Sequence, residues 1–220
     1  MTAQVLLATR NSKKLSELRR ILAPLVEVDV VGLADVAAFD EVPETGATFA
    51  DNALLKAREA LAHTGLVSVA DDSGLCVDAL NGMPGVLSAR WAGSAKDDLA
   101  NLHLVLEQLT DVPDERLGAH FECAVAVVAA SPAGIGPGPA RTGPTGPGPT
   151  RTEHVAHGRM RGRIVRTPRG AAGFGYDPIF VPEGHERTSA EMGADEKDAI
   201  SHRGRALRAI APVLAELLSR

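Results

Sequence analysis

The residues best suited to catalysis or metal binding are two adjacent aspartates, Asp71 and Asp72, which follow a short apolar segment. Two carboxylates this close repel each other unless a cation shares them. Mg²⁺ prefers carboxylate oxygens and also bridges to the phosphates of a bound substrate. One carboxylate could in addition take a proton from an attacking water, an effect worth ~10²- to 10⁴-fold in rate. The pair therefore fits a metal-assisted hydrolytic site, with an Asx-type turn as the alternative interpretation.

Three further polar residues could join such a site. Glu44 lies in the polar segment Pro-Glu-Thr-Gly and could add an oxygen ligand, although alone it would be assigned to the surface. Asn52 and Lys56 are spaced i, i+4, so on a helix both side chains face the same way. A salt-bridged helix rim is the simpler interpretation of these two residues when they are considered alone.

An anion site is indicated by the segment Thr9-Arg10-Asn11-Ser12-Lys13-Lys14, which lies between a predicted strand and a predicted helix. Backbone N–H groups are free at such a turn, and the helix dipole favours a negative charge there. A lysine at this turn could therefore hold a phosphate. Taken alone, the segment fits an ordinary asparagine or serine N-cap with solvated lysines better.

Two C-terminal segments offer contacts to a base and a sugar. Gly173-Phe174-Gly175-Tyr176-Asp177-Pro178 places two aromatic rings between glycines, and an exposed ring could stack on a base for ~1 to 3 kcal/mol. A tight turn with packed rings is the alternative. Lys197 and Ser201-His202-Arg203 cluster several hydrogen-bond donors near a helix start. Alone, they would be assigned to a solvated basic helix end.

Hydrophobic periodicity predicts the elements that must position these side chains. Strands are predicted at 4–9, 26–31, 67–70, 121–130 and 159–166, and helices at 13–22, 49–63, 96–109 and 201–218. The third helix would bury Leu99, Leu102, Leu106 and Leu109 on one face. The alternation of strands and helices indicates an α/β protein. Because α/β proteins usually bind ligands beyond the ends of their strands, the aspartates are expected at the edge of the sheet.

The segment 131–152 interrupts this pattern with glycine, proline and threonine. We expect a flexible surface insertion that joins two strands within a single domain covering residues 1–220. A linker between two domains is the alternative. The basic run 159–169 is expected to be a solvated strand face rather than a nucleic-acid surface, because aromatic residues are not interleaved with it.

Composition excludes several classes of protein. A formal net charge of -5 disfavours a long nucleic acid as the main partner. No apolar run approaches the roughly 20 residues that a membrane span needs, and the N-terminus lacks a secretory pattern, so a cytoplasmic protein without membrane attachment is expected. Cys76 and Cys123 are predicted to be buried free thiols rather than a disulfide or a zinc site.

Five of these segments occur in a fixed order along the chain. They are Thr9-x-Asn11-x-x-Lys14-x-x-Glu17, Glu44-Thr45-Gly46-x-Thr48-Phe49-x-x-Asn52-Ala53-x-x-Lys56-Ala57, Ala70-Asp71-Asp72-Ser73-Gly74-Leu75, Gly173-Phe174-Gly175-Tyr176-Asp177-Pro178 and Ile200-Ser201-His202-Arg203-Gly204. Together they resemble the inosine triphosphate pyrophosphatase family, also called Ham1, nearly from end to end. Five ordered motifs are far more specific than any one, so the resemblance outweighs the simpler interpretations of the isolated segments.

The resemblance implies an elongated α/β fold, in which a mixed sheet flanked by helices forms two lobes around a central substrate cleft. It also implies a homodimer, a Mg²⁺ cofactor, and hydrolysis of ITP, dITP and XTP to the monophosphate and pyrophosphate. Glu44 and Asp72 would hold the metal, and Asp72 would act as the proton acceptor. The expected substrate-binding residues are Thr9, Arg10, Asn11, Ser12, Lys13, Lys14, Lys56, Ser73, Phe174, Gly175, Tyr176, Asp177, Lys197, His202 and Arg203.

Two departures and two alternatives accompany this interpretation. Arg10 stands where the family often has a small residue, which could alter triphosphate affinity, and the insertion at 131–152 is unusual. A Maf-type pyrophosphatase for modified pyrimidine or methylated nucleotides is the enzymatic alternative, disfavoured by the motifs around Asp71 and His202. A sensor that binds a nucleotide without cleaving it is the other, and such a protein would be expected to lack a base or a metal ligand.

Overall fold

The structure is a computed structural model that describes residues 3–40, 42–131 and 151–219. The described strands are β1 (Gln4–Leu7), β2 (Asp29–Gly32), β3 (Val67–Val77), β4 (Gly118–Ala130), β5 (Arg151–Ile164) and β6 (Phe180–Pro182). The described α-helices are α1 (Ser12–Leu22), α2 (Phe49–Thr64), α3 (Asp98–Gln108), α4 (Ala194–Ile200) and α5 (His202–Leu218). The predicted α/β class is confirmed, since these strands form one mixed sheet with flanking helices.

Side-chain caps define where the main helices begin. The Asn11 side chain accepts hydrogen bonds from the backbone N–H groups of Lys13 and Lys14 at the start of α1. Thr48 and Asp51 form a reciprocal capping box at the start of α2. Such caps satisfy backbone donors that have no partner within the helix. They therefore fix the register of the helices that carry the candidate site residues.

The sheet has the strand order β2-β1-β3-β4-β5-β6. β1 runs parallel to β2 and to β3, whereas the pairs β3 with β4, β4 with β5 and β5 with β6 are antiparallel. β1 stops at Leu7, which lies opposite Val69, while β3 continues to Val77 against β4. The predicted end of this strand at residue 70 is therefore wrong. Pairing with β4 keeps Asp71 to Gly74 extended although their sequence resembles a turn.

Helices cover both faces of the sheet. α1 and α5 pack on one face around Val5, Leu7, Val69, Cys123 and Val125. The small and apolar residues of α2 pack on the opposite face. These are Phe49, Ala53, Ala57 and Ala60. A third cluster fills the far end of the long strands, where α3 contributes Leu102 and Val105, and Leu109 follows directly after the helix. The site residues on β3 are thus held between two packed helical layers.

The α3 prediction needs two corrections. The helix begins at Asp98 rather than at Lys96, and Lys96 itself has a φ of 53°, in the left-handed region. Leu99 was expected on the buried face but is 66% exposed. In addition, α4 and β6 were not predicted, because seven-residue and three-residue elements are too short to show a periodic pattern.

The insertion prediction falls mainly on residues 132–150, which lie outside the described residues. Arg151 and Thr152, which were assigned to the insertion, instead begin β5. The strands on either side, β4 and β5, are antiparallel neighbours in the sheet. On β5, Arg159, Arg161 and Arg163 are exposed and alternate with more buried residues, as a solvated strand face requires.

Both cysteines are free and buried, as predicted. Burial raises the pKa of the Cys76 thiol to about 11 and that of Cys123 to about 12. Within the described residues, no helix is both long enough and apolar enough to cross a bilayer.

Candidate functional site

The adjacent aspartates of β3 lie on opposite faces of the sheet, because successive side chains of a strand point in opposite directions. Asp71 contacts residues of α1 and α5, whereas Asp72 contacts residues of α2. They are therefore not a pair that shares one cation, and that part of the sequence interpretation is wrong. Each carboxylate has its own set of partners.

Asp71 is buried among cations. Its Oδ2 lies 3.1 Å from Lys14 Nζ and 3.3 Å from Arg203 Nε, while Arg203 Nη2 also donates to Ser73 Oγ at 2.9 Å. Burial alone would raise the pKa of Asp71, but Lys14 and Arg203 hold it well below the usual range. Asp71 thus remains ionised, and it holds a lysine and an arginine at the inner end of the site.

Asp72 lies beside a bridging lysine. Asn52 Nδ2 donates to Asp72 Oδ2 at 3.0 Å, and Lys56 Nζ lies 3.6 Å from Asp72 Oδ1 and 2.9 Å from Glu44 Oε1. Burial raises the pKa of Asp72, although Lys56 opposes the shift. Burial would also raise the pKa of Glu44, but Lys56 brings it below its ordinary value. One ammonium group therefore contacts both carboxylates that were predicted to bind a metal.

Glu44 is held from its other side by Arg90, a residue that the sequence analysis did not identify. Arg90 ends a short 3₁₀ helix, Gly85–Arg90, and donates through Nη1 to Glu44 Oε2 and through Nη2 to the Glu44 carbonyl oxygen, both at 3.3 Å. These two contacts fix both the backbone and the side chain of Glu44.

The opposite wall is built around the half-buried ring of Phe174. The Nζ atoms of Lys13 and Lys197 lie 5.8 and 5.3 Å from its centroid, and the guanidinium carbon of Arg203 lies at 5.8 Å. Asp177 accepts a hydrogen bond from the Phe174 backbone N–H at 2.9 Å and from Lys197 Nζ at 2.7 Å. The ring is thus fixed at its own turn and surrounded by positive charge.

His202 occupies the first position of α5 and stacks on Phe121, with ring centroids 4.9 Å apart and an interplanar angle of 12°. Burial, together with the nearby charges of Arg203 and Lys197, lowers the pKa of His202 well below its ordinary value, so the ring is neutral. Its Nδ1 is buried and has no hydrogen-bond partner among the described residues.

A cavity of about 340 Å³ joins these groups, a size typical of small-molecule sites. Most of the predicted site residues line it: Thr9, Arg10, Asn11, Lys14, Glu44, Lys56, Asp72, Ser73, Phe174, Gly175, Tyr176, Asp177, Lys197, His202 and Arg203. Ser12 and Lys13 line a second, more open cavity beside it. Sequence reasoning missed Phe39, Ser88, Lys96, Asp98 and Asn101, which come from segments without a recognisable motif.

The donor set fits a hard divalent cation that is shared with a ligand. The described residues contain no group of three histidine, cysteine or acidic side chains arranged to hold a metal. Mg²⁺, however, is commonly bound by one or two carboxylates and completed by water and substrate phosphates. Glu44 and Asp72 are the candidates for those carboxylates, since both lie near one cationic group, Lys56 Nζ, at 2.9 and 3.6 Å.

Comparison with known proteins gives a consistent result. The model of the Ham1 family matches residues 5–213. A dITP/XTP pyrophosphatase of Nocardia farcinica is 56% identical over 220 residues, covering 99% of this chain and 98% of the relative. A dITP/XTP pyrophosphatase of Mycobacteroides abscessus is 54% identical over 218 residues, covering 98% and 97%.

Solved structures agree with the sequence comparison. A crystal structure described as nucleoside-triphosphatase / dITP/XTP pyrophosphatase from Mycobacterium abscessus superposes with a TM-score of 0.70 at 56% identity, covering 95% of this chain and 99% of that one. A HAM1 protein from Coxiella burnetii gives a TM-score of 0.77 at 40% identity, covering 97% and 99%.

Proposed function

Because this chain belongs to the Ham1 family, we propose that it hydrolyses non-standard purine nucleoside triphosphates, dITP, ITP and XTP, to the monophosphate and pyrophosphate. The observation that carries this proposal is the single cavity onto which side chains from all five separated motifs converge. It is lined by acidic residues, a bridging lysine, an aromatic ring and a neutral histidine, which together match an anionic nucleotide.

Asp72 is the proposed proton acceptor. Asn52 holds its Oδ2, so the carboxylate is fixed in orientation while Oδ1 remains directed toward Lys56. Burial raises the pKa of Asp72, which makes it a stronger base than an ordinary aspartate. Attack of the activated water on the triphosphate breaks the P–O bond between the α- and β-phosphates, and the water proton moves to Asp72.

Mg²⁺ is the proposed cofactor, with Glu44 and Asp72 as its protein ligands. When bound, it would neutralise phosphate charge that develops as the bond breaks. Lys56, held between the same two carboxylates, would then contact the phosphates, while Lys14 and the turn that contains Thr9, Arg10, Asn11, Ser12 and Lys13 would bind the rest of the triphosphate.

Base selection is proposed to depend on His202 and Arg203. Hypoxanthine and xanthine carry a carbonyl acceptor at the six position, whereas adenine carries an amino donor. A donor from either residue suits the carbonyl, and adenine would leave that donor unpaired at ~1 to 3 kcal/mol. His202 has an unused ring nitrogen, and its plane is fixed by Phe121. Ser73, Phe174, Gly175, Tyr176, Asp177 and Lys197 would complete the contacts to substrate.

We further propose a single catalytic domain of two lobes that acts as a homodimer in the cytoplasm. The continuous six-stranded sheet supports one domain.

The decisive experiment measures pyrophosphate release from ITP, XTP, dITP, ATP, GTP and a methylated pyrimidine triphosphate, with Mg²⁺ or with a chelator. We expect rapid turnover of ITP, dITP and XTP only when the metal is present. Preferential turnover of the methylated pyrimidine would instead identify a Maf-type enzyme. Nucleotide binding without pyrophosphate release under any metal condition would identify a sensor.

A further inference from the structure

A second cavity adjoins the main one, on the side of the turn that is proposed to bind the triphosphate. Both cavities are lined by Arg10, Asn11, Lys96, Asp98 and Phe174. The second is completed by Ser12, Lys13, Asp97 and Leu99. The residues proposed to bind the metal and to select the base, including Asp72 and His202, line only the main cavity. The second cavity therefore extends the site away from these groups.

The basic residues of the two cavities differ in their partners. In the main cavity, each of four cations is paired with a carboxylate: Lys14 with Asp71, Lys56 with Glu44, Lys197 with Asp177, and Arg203 with Asp71. The basic side chains of the second cavity have no carboxylate partner among the described residues.

The three basic side chains without a carboxylate partner differ in their other contacts. Arg10 donates through Nη2 to the Phe39 carbonyl oxygen at 2.6 Å, which orients its guanidinium without neutralising it. Lys13 contacts the face of Phe174. In the part of the chain that the structure describes, the Lys96 side chain makes neither a hydrogen bond nor an ion pair. The second cavity therefore holds positive charge that is available to an added anion.

The two acids of this cavity are already engaged by backbone N–H groups. Asp97 accepts hydrogen bonds from Leu99 and Ala100 at the start of α3, at 2.8 and 3.0 Å. Asp98 accepts one from Gly175 at 3.1 Å. These contacts use one oxygen of each acid, and in the described part of the chain neither acid forms an ion pair with Lys96.

The backbone of Lys96 is also unusual. Its φ of 53° lies in a region that residues other than glycine rarely adopt. Such conformations persist only where the surrounding structure imposes them, and they concentrate at ligand sites. The turn that imposes this conformation places Lys96 at the boundary between the two cavities.

We propose that Lys96 and Arg10 form a polyphosphate subsite that binds the β- and γ-phosphates of the substrate and then the leaving pyrophosphate. This inference rests on the proposed function. In the proposed function the bond that breaks lies beside Asp72 and Glu44 in the main cavity, so the two phosphates beyond it extend past the turn that contains Arg10 toward the second cavity. Arg10 and Lys96, which border both cavities, supply the positive charge for these phosphates.

The test compares Lys96→Asn with Lys96→Arg. Asparagine tolerates the left-handed conformation but lacks the charge, whereas arginine keeps the charge. For Lys96→Asn we expect KM for dITP to rise about tenfold and the inhibition constant of inorganic pyrophosphate to rise by a similar factor, since one charged hydrogen-bond donor is lost. Inhibition by the nucleoside monophosphate should not change, and Lys96→Arg should retain near wild-type values.

Arg116→Gln is the matched control. Arg116 is exposed and lines neither cavity, and its replacement by glutamine removes the same formal charge as Lys96→Asn. Equal changes in KM for Arg116→Gln and Lys96→Asn would show that the change arises from the net charge of the protein, and the proposed subsite would then be wrong. Unchanged pyrophosphate inhibition in Lys96→Asn would overturn it as well. Failure of the wild-type protein to cleave dITP would instead refute the proposed function, so the two failures are distinguishable.

Discussion

At the scale of single residues, Asp72 is the most consequential side chain of the proposed site. Replacing it with asparagine keeps the volume and the contact with Asn52 but removes the proposed base. We expect Asp72→Asn to lower kcat by ~10²- to 10⁴-fold, because an amide cannot accept the proton of the attacking water. Pyrophosphate release gives kcat, and calorimetric titration with a non-hydrolysable dITP analogue checks that binding persists. Activity within a few-fold of wild type would exclude Asp72 as the base.

Arg90 supports the second carboxylate. It holds both the side chain and the carbonyl of Glu44, so Arg90→Gln should let Glu44 turn away from the cavity. We expect the Mg²⁺ concentration for half-maximal activity to rise roughly tenfold, as is common when a residue behind a metal ligand is removed. A metal titration at saturating dITP measures this, with Arg90→Lys as the conservative control. A fall in kcat without a change in the Mg²⁺ concentration for half-maximal activity would show that Arg90 does not act by positioning Glu44 for the metal.

Residue types alone assigned Glu44, Lys56 and His202 to the surface, and only the resemblance of five ordered motifs to the Ham1 family placed them with Asp72 in one site. The roles within the Asp71 and Asp72 pair were not visible, since they depend on the strand continuing through both residues. Arg90 and Lys96 were missed for a related reason. They reach the site from turns whose conformation is set by packing and backbone hydrogen bonds rather than by periodicity.

At the scale of elements, the close contact between β5 and α5 positions His202. A Cβ added to Gly158 would lie 2.0 Å from the His202 carbonyl oxygen and 2.7 Å from the Ala206 backbone nitrogen. Gly158→Ala therefore forces α5 away from the sheet. We expect a loss of ~1 to 3 kcal/mol in the free energy of unfolding, and reduced discrimination between dITP and dATP because His202 moves with the helix.

Gly193→Ala is the control for this change, since nothing lies within 4 Å of a Cβ at Gly193 and its φ of -66° suits alanine. Urea unfolding measures stability, and pyrophosphate release from the two nucleotides measures discrimination. A Gly158→Ala protein with wild-type stability would contradict the packing described here.

Periodicity predicted α1, α2 and α5 to within one residue at each end, because long amphipathic helices carry an unambiguous pattern. It failed on β3, where Asp71, Asp72, Ser73 and Gly74 suggest a turn. Antiparallel pairing with β4 from Ser68 to Val77 overrides that local preference. It also failed on Leu99, because one residue at the start of a helix can satisfy the pattern and still lie outside the core.

At the scale of the whole molecule, stability should depend on pH through a link between β5 and α2. Glu153 accepts hydrogen bonds from Arg58 Nε and Nη2 at 2.9 and 2.6 Å. The Arg58 hydrogen bond and Arg151 lower the pKa of Glu153 to about 2. Since the folded-state pKa lies below the unfolded value, the stabilisation is complete above about pH 4.5 and disappears as the pH falls toward 2.

We therefore expect Glu153→Gln to lose ~1 kcal/mol of unfolding free energy at pH 7, a value reduced for partial solvent exposure, and to match wild type near pH 2. Urea unfolding of both proteins at pH 7, 4 and 2 measures the difference. A difference that stays constant across these pH values would show that the carboxylate charge does not matter.

The positive charge on the exposed face of β5 is partly balanced by an acidic residue of the neighbouring strand. The chain is acidic overall, and the basic strand face that could resemble a nucleic-acid surface is partly neutralised within the sheet, where Arg159 pairs with Glu122 at 2.7 Å. The sequence predicted that these arginines lie on an exposed strand face, and Arg159, Arg161 and Arg163 are exposed. It could not indicate the partner, since Glu122 is 37 positions away and meets Arg159 only through the β4 and β5 register.

The alternation of side chains along β3 makes the length of this strand as critical as its composition. Deleting one residue before Ala70 would exchange the environments of the two acids, turning Asp71, which pairs with Lys14, toward α2 and Asp72, the proposed proton acceptor, toward α5. The Asp-Asp-Ser-Gly sequence itself would be unchanged by this shift in strand register. The enzyme would nevertheless be expected to be inactive, so an intact signature is not sufficient evidence of an intact centre.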